Sequence, residues 1–146
     1  MKSVSQILKS KSDQTVHTIT PSAPAFNAVK LMAQKNIGAL LVMENGKIVG
    51  IVSERDYARK IDLLGWSSKE TPVCDIMTST VMYVHPDQTN EECMALMTGN
   101  RVRHLPVMDG DKLLGLISIG DLVKDIISYQ QFIIQQLEKY IAGDRG

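Results

Sequence analysis

The chain has 146 residues, enough for one ordinary domain or two small modules sharing a core, and too few for a large multidomain enzyme. With 16 basic against 16 acidic residues, bulk charge supplies no general attraction for a phosphate backbone, although a local positive patch stays open. No apolar run reaches the ~18 residues of a membrane span, and the opening MKSVSQILKSK lacks the apolar core of a secretory signal, so a soluble, cytoplasmic protein is expected.

In chain order, the segment VSQILKSK reads as a short apolar lead-in, with Val4, Ile7 and Leu8 as its inward positions. A strand, VHTIT, runs into Pro21, and a helix is expected over 24–35 with Pro24 in its first turn and Phe26, Val29, Leu31 and Met32 as its apolar stripe. Then comes ALLVMENGKIVGIVS, two apolar segments about the turn pair Asn45-Gly46, which reads as a hairpin. A second helix starts near Ser53. Gly65-Trp66-Ser67-Ser68 breaks the pattern, and Trp66 is read as an anchor between modules, with a contact to another subunit as the alternative.

The same order then recurs. VCDIMTST resembles the lead-in, VMYVH the opening strand, and residues 89–99 the helix, where Thr89 and Glu92 have the spacing of a reciprocal cap and Cys93, Met94, Leu96 and Met97 form the stripe. HLPVMDGDKLLGLIS gives a second hairpin near Asp109-Gly110, and another helix starts near Ser118. A gapless offset of 65 aligns Val16 with Val81, Pro21 with Pro86, Leu40 with Leu105, Gly50 with Gly115, Ser53 with Ser118 and Asp56 with Asp121. The lead-ins align at 69 instead, Val4 with Val73 and Ile7 with Ile76. Such self-similarity marks a tandem repeat. Cys74 and Cys93 have no CxxC partner and are read as packing residues.

Strand, helix, strand, strand, helix permits a small sheet covered by helices, with one parallel crossover and one hairpin. The expected fold class is α/β: two tandem β-α-β-β-α modules packed through their sheets with pseudo-two-fold symmetry, because one such unit alone has too much surface for its core. The expected boundaries are 1–66 for the first module with its lead-in, 67–128 for the second, and 129–146 for a C-terminal helical extension and flexible end. In that extension Leu122, Ile126, Ile127, Tyr129, Ile133, Ile134, Leu137 and Tyr140 make a broad apolar surface, which points to a homodimer.

The repeated apolar strand, Gly50 or Gly115, SERD and SIGD, together with VCDIMT, RVRHLPVMDG and GLISIGDLV, resemble tandem CBS domains, from about Val4 to Ile127. The chain is similar to bacterial CBS-pair signal-transduction proteins, that is, to a stand-alone Bateman module. The resemblance implies a regulatory sensor that takes AMP, ATP, ADP or NAD, and implies no hydrolysis of them; with no output domain visible in the sequence, a separate downstream protein is expected to read the change.

By themselves Ser53 with Asp56, and Ser118 with Asp121, are helix caps: the serine accepts a backbone N–H and the carboxylate returns a bond to the cap. The resemblance adds a ribose-binding role for all four, since a carboxylate can receive bonds from adjacent ribose hydroxyls. It likewise implies an adenine slot lined by Val16, Ile37, Val81 and Val102, whose apolar character core packing explains equally well. Phosphate contacts fall to Arg55, Arg101, Arg103 and His104, arginine offering a planar two-bond contact. The first copy has Gly38-Ala39 where the second has Arg103-His104, so the second is expected to be the readier site.

Three alternatives stand beside the sensor. An enzyme lacks support, because His17, His85 and His104 fall in separate strand contexts with no metal-ligand spacing and no nucleophile–base pair. An RNA-binding module would have to rest on Arg101-Val102-Arg103 alone, without a basic stripe. A homo-oligomeric scaffold without a physiological nucleotide would rest on the C-terminal apolar surface.

Overall fold

Asn45 and Gly46 both adopt positive φ, 53° and 76°, and so form the type I′ turn whose twist matches a two-residue hairpin. They join β2 (Ala39–Glu44) to β3 (Lys47–Ser53) in an antiparallel pair running from Ala39↔Ser53 to Glu44↔Lys47. The second copy builds the same hairpin from β4 (His104–Asp109) and β5 (Lys112–Ser118), from His104↔Ser118 to Asp109↔Lys112. Its turn residues are Gly110-Asp111, one position later than the sequence signal, and only Gly110 takes positive φ. Both ladders shift register at the corresponding place, Val42/Met43 and Val107/Met108. The repeat therefore preserves a bulge as well as a pattern.

The computed structural model describes residues 2–143, so the last three residues of the expected C-terminal end lie outside it. Its helices are α1 (Val4–Ser10), α2 (Ala25–Lys35), α3 (Glu54–Tyr57), α4 (Asn90–Asn100) and α5 (Ile119–Ile141). Beyond α3 the chain widens into an i→i+5 turn over Ala58–Asp62, where the Leu63 N–H donates to Ala58 O at 3.0 Å.

Two compact units form. One spans Thr15–Met82, and the other joins the N-terminal residues through Gln14 to those from Tyr83 onward. In the first, β1 (Thr18–Ile19) runs parallel to β2, completing the sheet order β1-β2-β3. In the second the corresponding segment VMYVH contributes only a parallel bridge, Val84↔Val107, so the expected strand is reduced to one residue beside the β4-β5 hairpin.

The lead-ins pack with the copy they do not precede in sequence. Val73 and Ile76 are fully buried in a core with Ala25, Ala28, Met32, Leu40, Val42, Val52 and Ile61 of the first copy. Val73 N–H donates to Ala23 O, and Thr78 pairs its backbone with Ile51. In the other unit α1 reaches the second copy: Val4 N–H donates to Gln88 O at 2.8 Å and Ser5 N–H to Pro86 O at 2.9 Å.

This exchange explains the repeated glycine. A Cβ on Gly50 would collide with Met77 Sδ and lie 3.0 Å from Thr78 O, and one on Gly115 would lie 2.9 Å from Leu8 Cδ2. Leu8 and Met77 occupy matching places in the two lead-ins, so each glycine is where a lead-in crosses a strand.

Local details depart from expectation. Pro24 is the N-cap of α2 rather than part of its first turn. The face α2 buries is Ala25, Ala28 and Met32, with Val29 and Leu31 partly buried beside them, whereas Phe26 is 39% exposed. Thr89 accepts the Glu92 N–H at 3.2 Å, but Glu92 bonds the threonine hydroxyl instead of its N–H, so the box is half formed. Cys93 is buried as read, while Cys74 is exposed. Trp66 is 42% exposed.

Candidate functional site

Both SxxD motifs fold as complete capping boxes. Ser53 N–H donates to Asp56 Oδ2 at 2.9 Å and Asp56 N–H to Ser53 Oγ at 3.2 Å; in the second copy the distances are 2.8 Å and 3.2 Å for Ser118 and Asp121. Each serine ends a strand in extended backbone and starts a helix, which leaves its side chain facing the first-turn amides. A carboxylate committed to a cap keeps further acceptor capacity.

The strand entrance beside each box is tied to it. Glu54 N–H donates to Gly38 O at 3.1 Å, and Ile119 N–H to Arg103 O at 2.9 Å. Immediately upstream, α2 and α4 end on left-handed residues, Asn36 and Arg101, each at φ 54°. Ile37 N–H then returns to Met32 O and Val102 N–H to Met97 O, closing the helix ends and fixing where Ile37 and Val102 stand. Both side chains are half-buried, and Ile37 packs against the first core. Val16 is half-buried just before β1, at the sheet end where Ala39 faces Ser53; Val81 is half-buried three residues before the Val84 bridge.

The cationic candidates differ in placement. Arg55 is half-buried on α3 next to Asp56, whereas Arg101 and Arg103 are exposed. His104 begins β4 opposite Ser118. Burial holds its pKa below the ordinary histidine value, with Lys11 and Arg103 pushing the same way and Asp121 opposing them. At neutral pH His104 is thus an uncharged hydrogen-bonding group rather than a second cation beside Arg103.

The structure brings in a cation that the motif reading passed over. Lys11, just past α1, pairs its Nζ with Asp121 Oδ2 at 3.0 Å and donates to Leu116 O at 2.9 Å. No sequence signal joins residues so far apart, because the repeat relates the lead-ins to each other without saying which copy each one touches. Deeper in this unit Asn90 Nδ2 donates to Leu122 O and to Asp125 Oδ2, a buried polar contact where the first copy has Ala25 and Lys60.

Two related α/β units, each ending a hairpin in a capped helix start, define a tandem module. The CBS domain family matches residues 4–63 and 73–128, and the chain belongs to that family. It is 40% identical over 148 residues to the mitochondrial CBS domain-containing protein CBSX3 of Arabidopsis thaliana, covering 96% of this chain and 72% of that one. A putative signal-transduction protein with CBS domains from Burkholderia ambifaria is 58% identical and superposes with a TM-score of 0.85, over 87% of this chain and 95% of that one. The CBS domain pair of protein MJ0100, solved with 5′-methylthioadenosine and S-adenosyl-L-methionine, shares the fold at 21% identity and a TM-score of 0.77, over 88% of this chain and 98% of that one.

CBS pairs of this kind are regulatory modules rather than catalysts, and this chain is one of them. Among the described residues no helix is long and apolar enough to cross a membrane.

Proposed function

We propose that the chain is an adenine-nucleotide sensor, taking AMP, ATP, ADP or NAD at the helix starts of α3 and α5 and passing a change of conformation or dimer geometry to a separate protein. The observation that carries this reading is the Ser118–Asp121 box held against the Arg103 carbonyl, which sets a carboxylate, helix-start amides and an arginine at one end of the β4-β5 hairpin. That set matches a ribose diol with an anionic substituent. Support also comes from MJ0100, whose two bound compounds both contain adenosine.

In this proposal Ser53, Asp56, Ser118 and Asp121 meet ribose; Val16, Ile37, Val81 and Val102 flank adenine; Arg55, Arg101 and Arg103 meet phosphate, with His104 as an uncharged donor. Along the sequence the repeats run over 1–66 and 67–128, each lead-in packing with the other copy, and 129–146 is an extension whose apolar face pairs two copies in the cytoplasm. A scaffold without a nucleotide is the second reading, favoured by the exposure of Ile134, Leu137 and Ile141 on α5.

Calorimetric titration with AMP, ADP, ATP and NAD tests the sensor. At least one ligand should bind saturably and lose about tenfold or more in affinity on Asp121→Ala, with a smaller loss on Asp56→Ala. Folded protein that binds none of the four would overturn the reading in favour of the scaffold.

A further inference from the structure

Lys11 and Asp121 are 110 positions apart, yet their charged groups stand 3.0 Å from each other, with side-chain exposures of 27% and 15%. Asp121 Oδ2 accepts both from this ammonium and from the Ser118 N–H at 2.8 Å. One carboxylate oxygen offers about two lone-pair sites, so these donors fill Oδ2, and Oδ1 provides the remaining acceptor capacity. Lys11 also donates to Leu116 O on β5, so the ammonium bridges the strand and the helix start that follows it.

We propose that Lys11 determines specificity in the second unit's site, selecting phosphorylated adenosines over adenosine itself; this rests on the ribose assignment of Asp121 made above. A ribose diol needs acceptors on Asp121 and so competes with the ammonium for the carboxylate. An unphosphorylated nucleoside that wins this competition leaves a partly desolvated cation short of a partner, which costs free energy. A nucleotide brings a phosphate on the same ribose. The flexible lysine stem then exchanges carboxylate for phosphate and the charge stays paired throughout.

The lead-in lysine belongs to the second unit. At the lead-in offset of 69, Lys11 corresponds to Thr80, which brings no charge to the first copy. The Lys11 position thus adds to the inequality of the two sites independently of Arg103.

The test compares adenosine and AMP by calorimetry on wild type, Lys11→Met, Lys11→Arg and Asp121→Asn, each shown to be folded by circular dichroism. Wild type should prefer AMP by about tenfold or more; Lys11→Met should cut that ratio about threefold or more without weakening adenosine, Arg103 holding the remainder, and Lys11→Arg should keep the preference. An AMP-to-adenosine ratio unchanged in Lys11→Met, while Asp121→Asn weakens both ligands, overturns the role of Lys11 and leaves the ribose assignment standing. Affinities unchanged in Asp121→Asn, or a wild type that binds neither ligand, overturn the ribose assignment and this proposal together.

Discussion

Leu8 lies over Gly115, so close that a β-carbon on the glycine would sit 2.9 Å from Leu8 Cδ2. The matching pair is Met77 over Gly50, where the backbone oxygen of Thr78 also closes in. Both alanine substitutions should destabilise, at about 1–3 kcal/mol as for other overpacked sites, and Gly50→Ala more than Gly115→Ala. The leucine end can swing aside, whereas the Thr78 carbonyl is fixed by its pairing with Ile51. Urea midpoints of the two variants check the order; equal and negligible losses would mean that the lead-ins do not press on the strands.

His104 makes stability depend on pH in a set direction. Its folded pKa is lowered by burial, so between the folded value and the unfolded value of 6.5 the unfolded chain binds more protons. Stability then rises with pH across that window and is fully present above the unfolded value. The urea midpoint should fall as pH drops from about 7.5 toward 5, and His104→Gln should flatten that fall. A wild-type slope retained in the variant would assign the effect to other groups.

The two thiols should separate cleanly. Burial, reinforced by the charge of Glu92, pushes the Cys93 thiol up to about 11, while Cys74 is exposed. The thiolate is the reactive form. A disulfide reagent at mild alkaline pH should therefore label Cys74 quickly in native protein and Cys93 only on unfolding. Labelling of both at one rate, read by mass spectrometry, would contradict the packing of α4.

The outer turns of α5 carry the assembly prediction. Ile134 is 53%, Leu137 55% and Ile141 83% exposed along one long helix, more apolar surface than a solitary helix end usually shows. Light scattering should give a mass of about two 16.2 kDa chains, falling toward one when 130–146 is removed. A dimer that survives the truncation would place its interface elsewhere.

Much of this protein is legible in its sequence because the informative contacts are local or repeated. Asn45-Gly46 specifies its own turn through positive φ, and Ser53 and Ser118 specify helix starts through bonds three residues long. The 65-residue echo then makes each hairpin evidence for the other. On α2 Val29, Leu31 and Met32 pack with the first core as their spacing suggests, but Phe26 is exposed and Ala25 and Ala28, which pattern poorly, are fully buried; VMYVH has strand composition yet keeps one bridge.

Sequence by itself determined the repeat, the hairpins, the two caps and the family, all of which follow from short-range backbone chemistry or from one copy matching the other. Only the tertiary structure decided that each lead-in packs with the opposite copy, why Gly50 and Gly115 have no side chain, and that Lys11 reaches Asp121. Those contacts join residues tens of positions apart, and chain order does not encode which of two similar surfaces a short apolar segment will cover; packing chooses it.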